Sequence, residues 1–320
     1  MPDLVAVIDG PFLTFRAWNT AGTAEAMEHS TVRLVCSYFN RGADVWIVWE
    51  QPGMRGLDFR RKIDSGYKAR RTAKPDDYLR ALDELQRALT WLGVSQAWPK
   101  EGEADDAAAT LTRMARARGD NVELWALDHD WLQLVEPGVS LRMPKKSPET
   151  VTSANIVELT GGDAAWHLNL MSLRGDPGDD IPGLPRIGRD RARRLLELRP
   201  TIVQDILDGD TMAVERTIAA AAPNYLRWAQ VAMDNVELLR STRELVTLRE
   251  VELMTVPGAG DLERATSWLA ERDLDRFVGS VMDRIDPDPW LADDAPPDID
   301  GREPWQTDHP ASDPPTEPWQ

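Results

Sequence analysis

Carboxylates recur in four short clusters along this sequence, and their spacing is the pattern most indicative of chemistry. The clusters are Asp9 in VIDGPFL, Glu103, Asp105 and Asp106 in EGEADDAAA, Asp128 and Asp130 in LDHDWLQ, and Asp176 and Asp179 in GDPGDD. Carboxylate oxygens are the ligands that hard cations such as Mg²⁺ and Mn²⁺ prefer. Two such ions about 4 Å apart can activate a water and stabilise the leaving oxygen in a phosphodiester displacement. If the clusters converge in the fold, they predict a metal-dependent hydrolytic site.

Each cluster also has a structural alternative when it is taken alone. The second cluster opens an alanine-rich helix, where the helix dipole favours acids. The third is typical of a turn that caps a helix, and the fourth lies in a loop rich in glycine and proline. Asp9 is harder to explain in this way because it follows a buried strand. The order and context of all four clusters favour a shared site.

Three apolar, strand-like runs, each followed directly by an acid, explain how these side chains could meet. They are Leu4–Ile8 before Asp9, Val45–Trp49 before Glu50, and Val122–Leu127 before Asp128. The runs alternate with helical patterns, which predicts an α/β domain over residues 1–150. In open α/β sheets the ligand crevice lies beyond the carboxyl ends of the strands. We therefore expect the three acids to lie together at that edge.

The rest of the chain divides into a helical region and an acidic tail. Residues 151–285 lack strand signals and are predicted to form helices with short breaks. The break at 175–188 is dense in turn residues and precedes a basic helix, RDRARRLLEL. Gly183 and Gly188 in this break would let backbone amides approach a phosphate. Residues 286–320 hold nine prolines and many acids, so they are predicted to be disordered.

The charge of the chain is unevenly distributed. The total is −17, but residues 286–320 contribute −9 of it, which leaves −8 for the rest. Without the nine acids assigned to metal ions below, that −8 becomes +1, so the total does not exclude a nucleic-acid partner. One cysteine, Cys36, excludes an internal disulfide framework and a cysteine zinc site. No apolar run approaches the ~20 residues of a membrane span, and the start lacks the basic residues of a signal peptide. We expect a soluble, cytoplasmic protein.

A basic segment, residues 55–74, carries eight basic residues and two acids. Near an acidic site it could hold DNA phosphates against the metal ions, and a solvated surface loop is the alternative. Most of the 13 tryptophans, Trp131 among them, lie in apolar segments and are expected in the core. Trp305 and Trp319 lie in the acidic tail, which could dock on a protein partner, compete with DNA for the basic segment, or only solubilise the chain.

The ordered set of motifs resembles the 5′ nuclease family of flap endonucleases and 5′–3′ exonucleases. The motifs are DG…L.FRA at the start, FR…YKARR at 59–71, EADD, LDHDWLQLV, GDPGDDIPGLPRIG and STRELVTLR at 241–249. They span about residues 4–250 and are most similar to phage enzymes and to the N-terminal nuclease domain of bacterial DNA polymerase I. The resemblance implies a mixed, largely parallel sheet flanked by helices (PIN-like). It also implies a helical arch at about 55–90 and a helix–hairpin–helix (H3TH) element at about 170–200.

The resemblance also implies roles for particular residues. Metal ligands for two or more Mg²⁺ or Mn²⁺ ions would be Asp9, Glu50, Glu103, Asp105 and Asp106 in one group, and Asp128, Asp130, Asp176 and Asp179 in the other. Lys68 and Arg71 match the YK..R motif and would be catalytic, with Lys68 orienting or neutralising the scissile phosphate. DNA-binding residues would be Arg16, Arg60, Tyr67, Arg186, Arg189 and Arg191, although Tyr67 could equally pack the arch. A K⁺ ion would join the hairpin to a DNA phosphate.

Four positions depart from the family pattern. Glu50 stands where Asp is usual, Asp180 where Asn is common, His129 where Lys or Gly is more usual, and Arg186 where the hairpin has Gly. The longer side chain of Glu50 could shift or loosen one metal ion. None of the four changes removes an acidic oxygen, which favours an active enzyme.

The function that follows is a structure-specific 5′ nuclease acting on DNA near 5′ single-strand/duplex junctions. We expect a monomer with a role in replication and repair, such as RNA-primer removal, in a bacterial cell or a phage-infected host. One alternative is a branched-DNA-binding protein on the same fold, in which Glu50 disables a metal position. An RNA-cleaving nuclease of the related small families is disfavoured by the hairpin. A haloacid-dehalogenase-type phosphatase would need Asp-x-Asp, where this chain has Asp9-Gly10-Pro11.

Overall fold

The computed structural model describes residues 3–145 and 149–285, and a seven-stranded sheet lies at its centre. The strands are β1 (Leu4–Asp9), β2 (Asp44–Val48), β3 (Ser95–Pro99), β4 (Asn121–Trp125), β5 (Val139–Met143), β6 (Glu149–Val151) and β7 (Leu253–Val256). Their order across the sheet is β6-β5-β4-β1-β2-β3-β7. The five middle strands are parallel, and β6 and β7 are antiparallel edge strands. The expected mixed, largely parallel sheet is confirmed.

Helices cover both faces of the sheet and form a second layer beside it. They are α1 (Gly10–Ala21), α2 (Ala24–Phe39), α3 (Asp58–Ile63), α4 (Asp76–Trp91), α5 (Ala104–Arg118), α6 (Ile156–Thr160), α7 (Ala164–Arg174), α8 (Arg189–Leu198), α9 (Ile202–Leu207), α10 (Thr211–Ala221), α11 (Leu226–Asp234), α12 (Val236–Val246), α13 (Leu262–Ala270) and α14 (Val278–Met282). Short 3₁₀ turns lie at Pro52–Leu57, His129–Leu134, Pro223–Tyr225 and Asp275–Phe277. No helix in the described ranges is long and apolar enough to cross a bilayer.

Two of the acidic clusters begin helices as well as ending strands or loops. Asp9, the last residue of β1, caps α1 by accepting a hydrogen bond from Phe12 N at 3.0 Å. Glu103 and Asp106 form a capping box at the start of α5, where the Asp106 side chain accepts from Glu103 N. These acids therefore cap helices and can still lie at a shared site, so the two interpretations are compatible.

Each face of the sheet has its own core. On one face α2, α4 and α13 bury residues such as Val35, Leu89 and Leu269. On the other face α5 packs through its alanines, which lack bulk and let the helix approach the strands closely, together with Trp131 and Leu132 of the 3₁₀ turn. A separate hydrophobic core lies among the helices from α7 through α12. The site lies where these layers meet, at the carboxyl ends of the parallel strands.

The prediction that residues 151–285 form one helical region is wrong for the last part of that range. Residues 253–285 return to the α/β layer, because β7 pairs with β3 and α13 and α14 bury Trp268 and Val281 in its core. This return covers the otherwise open edge of β3. The four-residue β7 is too short to give a periodic signal, which explains why the region was predicted to be wholly helical. The predicted disordered tail, residues 286–320, lies outside the described residues.

The basic segment is less helical than the expected arch. Residues 64–75 connect the short helix α3 to α4 without regular structure. Tyr78, Leu85 and Leu89 of α4 are fully buried against the sheet. The prediction of an arch extending to about residue 90 is therefore wrong, because α4 is part of the layer that covers the sheet.

Candidate active site

The carboxyl ends of β1, β2 and β4 bring Asp9, Glu50 and Asp128 to one edge of the sheet. Asp9 is almost entirely buried. Burial, and then the neighbouring charges of Asp128 and Glu50, raise the pKa of Asp9 to about 7, although its hydrogen bond from Phe12 N opposes this. Asp128 and Glu50 are therefore near enough to Asp9 for their charges to act on it.

Two further acids join this group from neighbouring elements. Asp105 extends from the first turn of α5, and Asp130 from the 3₁₀ turn that Asp128 caps. Burial and the charges of Asp128 and Asp9 raise the pKa of Asp105 well above its ordinary value. Burial and the charges of Asp128 and Asp105 do the same for Asp130. Burial and mutual repulsion thus disfavour the ionised forms of Asp9, Asp105 and Asp130.

The loop between α7 and α8 supplies the last two predicted acids. Asp176 Oδ1 accepts a hydrogen bond from Gly178 N at 2.8 Å, and the backbone of Asp176 pairs with that of Ile181. This tight turn directs Asp179 toward the sheet edge, where burial raises its pKa against the opposing charges of Lys68 and Arg71. The two predicted ligand groups therefore face one site.

Two cations of the basic segment lie among these acids. Lys68, only 3% exposed, contacts Glu103 Oε2 and lies with its Nζ 3.2 Å from Asp179 Oδ2. Arg71 Nη1 lies 3.2 Å from Glu50 Oε1, and its Nη2 lies 3.7 Å from Asp179 Oδ1. Burial would raise the pKa of Glu50, but the charges of Lys74, Arg71 and Lys68 outweigh it and lower that pKa. These side chains act as internal counter-ions of the acid cluster.

Glu103 and Asp106 are engaged differently from the other acids. Arg60 Nη1 and Nη2 donate to the two oxygens of Asp106 at 2.7 and 2.9 Å. Asp106 also accepts from the backbone N–H groups of Arg249 and Glu103 and is fully buried. Glu103 Oε1 accepts from Arg60 at 3.0 Å and from Tyr67 Oη at 2.6 Å. The predicted role of Asp106 as a metal ligand does not fit this geometry, because both of its oxygens are already satisfied.

The predicted DNA contacts of Arg60 and Tyr67 do not fit the structure either. Each side chain is 3% exposed and bonded to the acids beneath it. The packing alternative for Tyr67 fits instead. Arg16 Nη1 donates to the carbonyl of Pro144 at 2.9 Å and lies on the outer face of α1.

The segment predicted to form the hairpin is the loop that joins α7 to α8. Asp180 and Arg186 in this loop adopt left-handed backbone conformations, with φ of 58° and 62°. These are two of the positions where the sequence departs from the family's Asn and Gly, residue types that tolerate this conformation best. Arg186 and Arg189 are exposed. Arg191 bonds to the Arg186 carbonyl, and its guanidinium lies 3.9 Å from the ring centroid of Trp228.

The donor chemistry of the site fits hard divalent cations. Within residues 3–145 and 149–285, no three Asp, Glu, His or Cys side chains form a ready-made cation site. Lys68 and Arg71 account for part of this, since they hold carboxylates apart from one another. Burial and mutual repulsion raise the pKa values of Asp9, Asp105 and Asp130, and a cation bound between them would relieve the repulsion.

Sequence reasoning missed two residues at the site. Trp131 was expected only in the core, yet its Nε1 donates to Asp105 Oδ1 at 2.7 Å. Its position directly after Asp130 was the available signal. Lys74 lies in the basic segment but was not singled out, and its charge acts on Glu50 and Asp9.

Comparisons with known proteins agree with this geometry. Residues 4–161 match the family model of the 5′-3′ exonuclease N-terminal, resolvase-like domain. DNA polymerase I of Mycobacterium tuberculosis is 33% identical over 223 residues, which cover 62% of this chain and 25% of that protein. The chain spans only 15% to 24% of the length of other DNA polymerase I relatives.

Solved structures show the same fold. The 5′-exonuclease of phage T5 with bound divalent metal ions (zinc) matches with a TM-score of 0.59 and 20% identity, covering 88% of this chain and all of that one. A flap endonuclease of the same phage, in a complex with DNA and metal ions, matches with a TM-score of 0.58 and 19% identity, over 88% and 99% of the two chains.

Proposed function

We propose that the chain is a structure-specific 5′ nuclease that cuts DNA, because residues 4–161 match the family model of the 5′-3′ exonuclease N-terminal domain. It hydrolyses phosphodiesters near the junction of a 5′ single strand with a duplex, as an exonuclease and as a flap endonuclease. Such an activity serves DNA replication and repair. Two or more divalent cations, Mg²⁺ or Mn²⁺, are its cofactors.

One observation supports this proposal above the others. Burial and neighbouring carboxylates raise the pKa values of Asp9, Asp105 and Asp130 at the carboxyl edge of the sheet, and a segment whose charge is +6 lies beside them. A scaffold would not need to bury this much like charge, because burial of unpaired carboxylates destabilises the fold. A site for cations and a phosphate explains both features.

The residues present would hold the cations in two groups. Asp9, Glu50 and Asp105 form the first, with Glu103 held beside them by Lys68. The second group consists of Asp128, Asp130, Asp176 and Asp179. When bound, the cations activate the attacking water and stabilise the leaving oxygen.

The chain's own cations hold the phosphate. Lys68 and Arg71 form ion pairs with carboxylates that divalent ions would neutralise, so both side chains would be available to a substrate phosphate with those ions bound. Lys68 then offsets the charge that develops on the scissile phosphate. Arg71 orients the same group, because its guanidinium can donate two parallel hydrogen bonds.

The duplex lies along the loop between α7 and α8. The exposed Arg186 and Arg189 contact its phosphates, and the left-handed turn presents backbone amides beside them. A K⁺ ion at this loop would join it to the DNA backbone. Contacts of this kind recognise shape and strand ends rather than base sequence.

The direct test uses a 5′-labelled flap duplex incubated with the protein in Mg²⁺, in Mn²⁺ and in EDTA. The proposal predicts cutting close to the junction in either metal ion and none in EDTA. A second substrate, whose 5′ end is blocked by a bulky group, tests whether the enzyme needs a free end. Cutting in EDTA, or none in either metal ion, would contradict the proposal.

A non-catalytic branched-DNA-binding protein is the second candidate. The ion pair between Glu50 and Arg71 favours it, because this carboxylate already has a cationic partner. Tight binding of the flap duplex without cutting in Mg²⁺ or Mn²⁺ would support this candidate. In that case Glu50→Asp, which restores the family's usual residue, is expected to restore cutting.

A further inference from the structure

The indole of Trp131 contacts the acid cluster from inside the core. Trp131 is fully buried in the 3₁₀ turn His129–Leu134 and packs against the same face of the sheet as α5. Its Nε1 donates a hydrogen bond to Asp105 Oδ1 at 2.7 Å. Core packing explains why the ring is buried, but it does not require that the one polar atom of the ring face a carboxylate.

Asp105 and Asp106 are neighbours with opposite kinds of partner. Arg60 neutralises Asp106 and occupies both of its oxygens. Trp131 is neutral and occupies only one oxygen of Asp105, and no other donor among the described residues bonds to that carboxylate. Asp105 therefore has a neutral partner and, among the described residues, one oxygen to which no donor bonds. These are the properties that a ligand of a hard cation needs.

The same turn connects the two groups of acids. Asp128 caps it by accepting from Asp130 N at 2.8 Å, and Trp131 follows immediately. One short segment thus supplies two carboxylates directly and bonds to a third, Asp105, that belongs to helix α5. A shift of this turn would move all three carboxylates together.

We infer that Trp131 is a positioning residue, which orients Asp105 for a divalent cation without neutralising it. The inference rests on the proposed function, because it assigns Asp105 as a metal ligand. Hydrogen-bond partners of ligating carboxylates typically contribute about 10- to 100-fold to metal affinity or activity. Trp131→Phe keeps an aromatic ring but removes the donor together with part of the indole.

The test measures Mn²⁺ binding by calorimetry with the full chain and no DNA. Trp131→Phe is expected to bind Mn²⁺ about tenfold or more weakly than the wild type. Trp46→Phe is the matched control, because Trp46 Nε1 donates to Asp44 Oδ2 at 2.9 Å near the other end of β2. Equal Mn²⁺ affinity in wild type and Trp131→Phe would overturn the inference.

A double-variant comparison separates positioning from general damage. In an Asp105→Asn background, adding Trp131→Phe is expected to change Mn²⁺ affinity no further. A full additional loss in that background would overturn the inference, because the indole would then act through some other group.

A measurement on the wild type tests the inference even where Trp131→Phe does not fold. The indole N–H resonance of Trp131 is expected to shift during a Mg²⁺ titration followed by NMR, and an unchanged resonance would overturn the inference. The proposed function is tested separately. A protein that binds Mn²⁺ but does not cut flap DNA would contradict the nuclease, whereas the Trp131 comparison would still be decided by binding alone.

Discussion

The guanidinium of Arg60 donates two parallel hydrogen bonds to the carboxylate of Asp106, at 2.7 and 2.9 Å, with both side chains almost completely excluded from solvent. The pair joins α3 to the start of α5, and Arg60 Nε also donates to the carbonyl of Leu245 in α12. Three elements that are distant in sequence therefore meet at one ion pair. It fixes the start of α5, from which Asp105 faces the site.

Breaking this pair is expected to destabilise the whole domain. Arg60→Met leaves Asp106 buried without its cation, which typically costs about 3–5 kcal/mol of unfolding free energy. Urea denaturation measures the change. Arg80→Met is the control, because Arg80 and Asp77 form an exposed pair, for which about 0–1 kcal/mol is expected. Equal losses of unfolding free energy in the two variants would contradict a larger stabilising role for the buried pair.

Removing the counter-ion Lys68 is expected to separate metal binding from cutting. Lys68→Met removes one cationic partner from both Glu103 and Asp179, so Mn²⁺ affinity without DNA is expected to rise by about tenfold, equivalent to one pKa unit of electrostatic interaction. Cutting at saturating Mn²⁺ is expected to fall. Calorimetry and a flap assay measure the two effects, with the exposed Lys62→Met as control. Weaker Mn²⁺ binding in Lys68→Met would contradict the counter-ion role.

The left-handed backbone at Arg186 predicts opposite effects on stability and DNA affinity. Arg186→Gly relieves a conformation that costs an L-residue roughly 1–2 kcal/mol, less the roughly 0.5–1 kcal/mol of glycine's greater freedom when unfolded. A small rise in melting temperature is therefore expected.

Arg186→Ala is the control for this comparison, because it removes the charge but keeps the strain. Both variants are expected to bind flap DNA more weakly, with a salt slope reduced by about 1. A melting temperature for Arg186→Gly no higher than that for Arg186→Ala would contradict the strain argument.

A buried network at Glu123, away from the site, predicts a pH-dependent contribution to stability. Burial would raise the pKa of Glu123, but hydrogen bonds from Arg41 and Tyr38 outweigh it and lower that pKa. A lowered pKa stabilises the folded state above the unfolded pKa of about 4.3, and this stability is lost as the pH falls through the folded value.

The stability difference between wild type and Glu123→Gln is thus expected to be largest near neutral pH and to shrink at acidic pH. Urea melts across this range test it, with the exposed Glu215→Gln as reference. A difference that grows as the pH falls would contradict the assignment.

The strands that carry the site were predictable because their signals are local. Leu4–Ile8 is a continuous apolar run, as expected for a central parallel strand that is covered on both faces. The acids that follow such runs had to meet once the sheet was parallel. By contrast, β7 is four residues long and pairs with a strand about 150 residues earlier, so no local pattern marks it.

The partners of each acid could not be predicted from spacing. Asp105 and Asp106 are adjacent and chemically identical, yet an arginine 46 residues before Asp106 holds one of them and an indole holds the other. Lys68 and Tyr67 were expected to face DNA, but the fold buries both beside Glu103. Such choices depend on tertiary contacts, which a single sequence does not record.

The central claim is that the acids at the sheet edge cut DNA with divalent cations, and one comparison tests it most directly. Single-turnover cutting of a 5′ flap in Mg²⁺ is measured for wild type, Asp128→Asn and Asp208→Asn, where Asp208 is an exposed acid after α9. We predict a loss of about 100-fold or more for Asp128→Asn, and wild-type rates for Asp208→Asn. Wild-type cutting by Asp128→Asn would contradict the account.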